Sequence, residues 1–257
     1  MRSIWKGALS FGLVNIPVQL FSATVAHNLD LDMLDKTDLA HIKYQRVNEQ
    51  TGKEVPWENI VKGYKYDDDY IILEDADFEE ASPKKSRMIE IEEFVDEKEI
   101  SSMYFESPYY LVPEKGNNKA YMLLLKALEK SGKVGISRFV MRSAENLAVI
   151  KPEKEVLILN KIRFQDELRT IDDLEMPEVS DFSKTEMEMA LSLIKQYSAS
   201  FEPSKFKNEY KDELMRIIEE KSKGKRPTIK KLKITNSNDK NLLEQLRASL
   251  EKNKKAS

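Results

Sequence analysis

The feature that most constrains this chain is a succession of short strand-like runs across roughly its first 165 residues, interrupted only once by a helical period. Leu9 to Phe21 is rich in β-branched and aromatic residues, and Gly12 and Pro17 within it predict a kinked, bulged or edge strand. Ile42-Lys43-Tyr44-Gln45-Arg46-Val47 alternates apolar and polar residues, the period of a half-exposed strand, and Asn48 to Lys53 carries the turn chemistry that ends it. Gly63–Tyr66 and Tyr70–Leu73 flank Asp67-Asp68-Asp69, which predicts a hairpin. Met88 to Glu92 alternates again, and Tyr109 to Val112 predicts a buried strand stopped by Pro113. The one helix is capped by Asn118, turns Tyr121, Leu124, Leu125 and Leu128 to one side, and ends near Gly132. Strands resume at Val134–Met141, Leu147–Ile150 and Val156–Leu159. Many short antiparallel strands around one helix imply a mainly β fold, a closed barrel or a sandwich, rather than alternating βαβ units.

The period then becomes helical. Ser183-Lys184-Thr185-Glu186 has the spacing of a capping box, and Met187, Ala190, Leu191, Ile194, Tyr197 and Phe201 continue on one stripe. Pro203 and Ser204 predict a second helix with Phe206, Tyr210, Leu214, Ile217 and Ile218 on its face. Met187, Met189 and Met215 read as helix core. Lys221 to Ser237 reads as a flexible basic linker, and Asn238 or Asp239 can cap a last short helix carrying Leu242, Leu243, Leu246 and Leu250.

Charge is unevenly placed. The formal net charge is −3, yet Lys221 to Ser257 holds twelve Lys and Arg against three acids, about +9, which leaves about −12 for the rest. An acidic body with a basic tail suits an anionic partner or a solvated, disordered terminus. No apolar run is long enough to span a bilayer, and Met1 to Gly7 has none long enough for a signal peptide. Cysteine is absent, so disulfides, zinc knuckles and thiol catalysis are excluded. Eight glycines are scattered, and neither Lys115–Asn118 nor Ser131–Gly135 matches a phosphate-cradling fingerprint. His27 and His41 lack ligand-type partners at helical spacing, and Asp38 before His41 falls in a loop, so they read as ordinary surface histidines. Asp67-Asp68-Asp69 could hold Mg²⁺, but consecutive carboxylates at a hairpin tip diverge into solvent. No nucleophile, base and oxyanion donor assemble in a recognisable order, so no catalytic residue, metal or cofactor is assigned.

Three long stretches resemble the bacterial Ku family: Ile4 to Val18; Tyr44 to Val47 with Thr51 to Tyr64; and Tyr109 to Pro113, Lys119 to Tyr121 and Gly132 to Val140. With a helical match from Glu188 to Lys221, the resemblance covers nearly everything before the tail. It implies a seven-stranded antiparallel Ku-type β-barrel over 1–165 with a DNA-encircling bridge at about 37–66. A helical C-terminal arm would follow at 166–221, then a basic tail at 222–257. The eukaryotic relatives' N-terminal α/β domain is not expected, since the chain opens in the barrel motif. The implied function is sequence-independent binding of double-stranded DNA ends by a ring-shaped homodimer. That homodimer would recruit an ATP-dependent multifunctional bacterial DNA ligase in nonhomologous end joining, without enzymatic activity and with a cytoplasmic, nucleoid-associated location.

A ring that slides onto any end needs phosphate contacts rather than base readout. The expected DNA-binding residues are Lys36, Lys43, Arg46, Lys53, Lys62 and Lys65, with Arg138 and Arg142 on the barrel. In the tail, Lys223, Lys225, Arg226, Lys230, Lys231 and Lys233 are expected to meet DNA or a partner. Gln45 stands where many relatives carry a basic residue, which makes the expected lining less positive. Trp57, Tyr44 and Tyr64 could stack on frayed bases, but packing in the barrel or dimer interface is the preferred reading. Two other classes compete: an interaction protein that binds DNA only incidentally, and a metal-dependent nuclease at the aspartate run.

Overall fold

A computed structural model describes residues 1–25, 29–81, 87–116, 118–142, 144–172, 174–177, 182–225 and 242–254. The chain divides into two compact units, Met1–Ile171 and Asp172–Ser257.

The first unit is built on a closed barrel. Its strands are β1 (Trp5–Phe11), β2 (Val14–Ser22), β5 (Met88–Asp96), β6 (Phe105–Pro113), β7 (Lys133–Met141), β8 (Ala144–Glu153) and β9 (Val156–Ile162). They close in the order β1-β2-β6-β9-β8-β7-β5. Six junctions are antiparallel, but β1 and β5 close the ring in parallel, with Leu9 opposite Ile89. The expected seven-stranded antiparallel Ku-type barrel is present, with a single parallel seam whose reason is parity. An odd number of strands that alternate in direction around a closed ring must place two parallel strands side by side.

Leu9 to Phe21 is likewise not one kinked strand. It is the β1–β2 hairpin, with Phe11 opposite Val14 and Gly12 at a φ of +59° in the two-residue loop. Pro17 is accommodated within β2, opposite Ala8, and its carbonyl accepts the Glu114 N–H at 2.9 Å. Gly7 is required for a different reason. A Cβ there would lie 2.1 Å from the Arg87 carbonyl oxygen and 2.3 Å from the Trp5 ring, at the parallel seam. Trp5 reaches past β5 to β7 from this point: its Nε1–H donates to the Val140 carbonyl at 3.0 Å and its ring meets Phe139 edge-on.

Alternation along the strands fills the interior with Leu9, Ile16, Val18, Leu20, Ile89, Leu111, Phe139, Ile150, Leu157 and Leu159. Helix α2 (Asn118–Ser131) closes this core with Tyr121, Leu124, Leu125 and Leu128, the face its 3.6-residue period predicts. The Tyr121 hydroxyl donates to the Leu111 carbonyl at 2.6 Å and accepts the Leu157 N–H at 2.7 Å, so it ties α2 to the end of the β6–β9 ladder. Burial holds the Tyr121 phenol above its ordinary range, partly opposed by that N–H. A second apolar cluster of Val134, Val149 and Ile162 lies on the outer sides of β7, β8 and β9, flanked by Val95, Ile100 and Tyr104.

The second unit holds α3 (Lys184–Tyr197), α4 (Glu209–Ser222) and α5 (Leu242–Lys254), with α5 packed along α3. The capping box forms at α3: the Glu186 N–H donates to Ser183 Oγ, and Ser183 N–H and Oγ donate to the Glu186 carboxylate. These bonds hold the Glu186 carboxyl below the usual glutamate value. Two expectations are corrected. Helix α3 stops at Tyr197, leaving Phe201 beyond it, stacked on Phe206 at 5.8 Å. Pro203–Lys205 form only a 3₁₀ turn, and α4 begins after its Asn208 cap, so Phe206 is not part of its face. Nor are the methionines a core: Met187 and Met215 are exposed, and no described side chain of this unit is buried.

Candidate nucleic-acid interface

Between β2 and β5 the chain leaves the barrel ladder for a segment spanning about residues 29–81. Its regular elements are a 3₁₀ turn at Trp57–Asn59, a hairpin of β3 (Lys62–Tyr66) and β4 (Asp69–Leu73), and the short α1 (Asp75–Ala81). The Asp67-Asp68-Asp69 run makes the hairpin turn, with Asp67 at a φ of +52°, which aspartate tolerates. The expected strand over Ile42–Val47 does not form. Only isolated bridges occur, Leu34 to His41 and Val47 to Glu54, because no neighbouring strand runs alongside to complete a ladder. His41 thus pairs with Leu34 across a turn at 36–38, which is stabilised where Thr37 N–H donates to Asp35 Oδ1 and Ala40 N–H to Asp38 Oδ1. His27 lies outside the described residues.

Almost every residue from 30 to 72 is exposed, including Leu31, Met33, Leu39, Tyr44, Trp57, Val61, Tyr64 and Tyr70. Trp57 is 72% exposed and Tyr44 81%, so neither packs into the barrel of its own chain. Two-stranded hairpins with this much bare apolar surface are marginal alone, and such surface marks contact with another macromolecule.

The cations of this segment meet no carboxylate among the described residues. Among the described residues, Lys36, Lys43, Arg46, Lys53, Lys62 and Lys65 enter no salt bridge. Two of them rest on aromatic rings instead: the Arg46 guanidinium is 4.6 Å from the Trp57 ring centre, and Lys62 Nζ is 4.5 Å from that of Phe78. Gln45 donates across the loop to Glu54 at 3.4 Å. Cations on the barrel behave differently. Arg138 pairs with Glu92 at 3.0 Å, Lys133 with Asp96 at 3.0 Å, Lys151 with Glu97 at 2.5 Å and Lys161 with Glu106 at 3.1 Å. Arg142 stands exposed at the β7–β8 turn with a φ of +54°.

Pairing also separates residues that the sequence groups together. Lys62 is opposite Leu73 and shares a hairpin face with Tyr64 and Ile71, whereas Lys65 is opposite Tyr70 on the other face with Ile72. In the second unit, Lys223 and Lys225 follow α4 and are exposed, while Arg226, Lys230, Lys231 and Lys233 lie outside the described residues. Sequence reasoning missed the pairing of Arg46 with Trp57; no periodic signal links two residues that meet only where a loop folds back.

Among the described residues no three His, Asp or Glu side chains gather as a metal cluster, and no helix is long and apolar enough to cross a membrane. A closed seven-stranded barrel carrying a cationic, apolar excursion defines the class. Residues 10–189 match the family model for the Ku70/Ku80 beta-barrel domain. Proteins named non-homologous end joining protein Ku are similar over most of their length. The one from Pseudomonas aeruginosa is 40% identical over 225 residues, covering 86% of this chain and 77% of that protein. That from Coxiella burnetii is 38% identical, covering 90% and 86%, and that from Archaeoglobus fulgidus 38% identical, covering 98% and 99%. This chain belongs to the Ku family.

Proposed function

We propose that two copies of this chain pair into a ring that threads onto double-stranded DNA ends without sequence preference and recruits a multifunctional ATP-dependent DNA ligase for non-homologous end joining. The observation that carries this reading is the segment at 29–81, where exposed cations with no carboxylate partner among the described residues lie among uncovered tyrosine, tryptophan and aliphatic side chains. The apolar part favours a second protein surface, and the cations favour phosphate. A helical unit with no buried side chain among its described residues supports the same need for a partner.

In this reading Lys36, Lys43, Arg46, Lys53 and Lys62 neutralise phosphates inside the ring, and Lys65 belongs to the opposite hairpin face. Arg138 contributes less, because Glu92 already holds it, and Arg142 adds an outer contact. Lys223, Lys225, Arg226, Lys230, Lys231 and Lys233 bind DNA or ligase from the tail. The acidic remainder of the chain repels DNA from other surfaces. The protein performs no chemistry on the end and works in the cytoplasm at the nucleoid.

The test is a gel shift comparing linear with covalently closed duplex at moderate salt, in Mg²⁺, with light scattering to count protomers. Retention of linear duplex alone, uncleaved and by a dimer, is expected. Equal retention of closed circles would overturn threading, cleavage would favour the aspartate run as a nuclease, and no retention would leave an interaction protein.

A further inference from the structure

We propose that Trp57 is a positioning residue for DNA binding, whose ring holds the Arg46 guanidinium ready for a phosphate without neutralising it. This rests on the end-binding reading above and adds a residue that the pattern of basic side chains does not reveal.

A protein can order a long cationic side chain in two ways. A carboxylate does it by ion pairing, which cancels the charge and occupies the N–H donors that a phosphate would use. An aromatic face does it through its quadrupole, leaving the net charge intact and the guanidinium's edge donors open. The first arrangement serves the barrel surface, where Lys133, Arg138, Lys151 and Lys161 all meet carboxylates. The second serves the excursion. Arg46 over Trp57 and Lys62 over Phe78 are the cation–π pairs among the described residues, and both belong to this segment.

The backbone fixes both members of the Arg46–Trp57 pair. The Val55 N–H donates to the Arg46 carbonyl at 2.8 Å, next to the bridge between Val47 and Glu54. The loop between these arms is locked by Asn48: its N–H donates to the Lys53 carbonyl and its own carbonyl accepts the Gly52 N–H, each at 2.8 Å. Asn48 Oδ1 also accepts from the N–H groups of Gln50 and Thr51 at 3.0 Å. Pro56 then opens the 3₁₀ turn that carries Trp57, closed where the Asn59 N–H donates to the Pro56 carbonyl at 3.0 Å. Ring and guanidinium are thus set by one hydrogen-bonded loop. An arginine ordered before DNA arrives has less rotamer freedom to lose on gripping it.

The full-length protein would be titrated with linear duplex across a salt series, as wild type, Arg46→Gln, Trp57→Leu, Trp57→Phe and Arg46→Gln/Trp57→Leu. Arg46→Gln should lower the slope of log affinity against log salt by about 1.8 for a dimer. Trp57→Leu should weaken binding roughly five- to a hundred-fold, because one arginine in each protomer must then be ordered on binding, while Trp57→Phe keeps an aromatic face and most of the affinity. The decisive result is the double variant: if Trp57 acts through Arg46, Trp57→Leu costs nothing further once Arg46 is gone. A loss of the same factor in both backgrounds overturns the proposal and makes Trp57 a base-stacking or protein-contact residue in its own right. An unchanged slope for Arg46→Gln overturns it as well, by removing Arg46 from the DNA. In either case the comparison of linear with closed duplex reports independently on end binding.

Discussion

Lys62 and Lys65 provide a sharp test of where DNA runs, because the hairpin register puts them on opposite faces. A duplex lying against one face meets one of these lysines and not the other. Lys62, held over Phe78 as Arg46 is over Trp57, is the one expected to meet phosphate. The perturbation is glutamine at each position, which keeps length and polarity and removes charge. Each phosphate contact adds about 0.9 to the slope of log affinity against log salt, so a substitution carried by both protomers removes about 1.8. With Lys36, Lys43, Arg46, Lys53 and Lys62 all in contact, the ring contributes a slope of about 9 in total. The assay is equilibrium binding to linear duplex over a salt series, on two unrelated sequences. Lys62→Gln should lose about 1.8 on both sequences and Lys65→Gln close to none. An equal loss from both lysines would show that the duplex is not confined to one hairpin face. No loss from any of Lys43, Arg46, Lys62 and Lys65 would move the DNA path to Lys133, Arg138 and Arg142, and a loss on one sequence only would mean base readout.

Further outcomes follow from the frame. Tyr121→Phe leaves the Leu157 N–H and the Leu111 carbonyl without their hydroxyl partner inside the core, which should cost about 1–3 kcal/mol in denaturant melts. Gly7→Ala forces a Cβ into the Arg87 carbonyl at the parallel seam and should destabilise the barrel by about 3 kcal/mol, seen as a lower urea midpoint. The Glu186 carboxyl is held below its ordinary value, so its share of α3 stability is full above the unfolded glutamate range. That share is lost as pH falls through the depressed folded value; circular dichroism of Ser183→Ala should lack this acid-dependent step. Truncation after Lys221 removes the remaining tail cations and α5, so end affinity and ligase recruitment should fall while light scattering still reports a dimer.

Local periodicity made much of this protein legible. The α2 face of Tyr121, Leu124, Leu125 and Leu128, the Ser183 capping box, the Asp67–Asp69 turn and strands β7 to β9 all stand where side-chain order alone places them. Each depends on residues within a turn or two of one another, and at that range the sequence carries its own geometry. The long segments resembling Ku also marked the excursion as the place to look for cations.

Tertiary structure decided what lies beyond that range. The alternation of Ile42–Val47 is a true period without a strand, because a ladder needs a neighbour that the chain does not supply there. Gly12 and Pro17 read as flaws in one strand until the partner of Phe11 is known to be Val14. Barrel closure forced β1 and β5 into parallel contact, a property of seven strands counted together and of no strand alone. Folding also sorted the cations. Arg138 meets Glu92 across two strands and has its charge spent within the protein, while Arg46, among the described residues, rests on an aromatic ring and keeps its charge. The sequence determined which residues are basic; which of them retain charge for a phosphate depended on the neighbours that folding brought to each, since an ion pair requires contact in space rather than proximity along the chain.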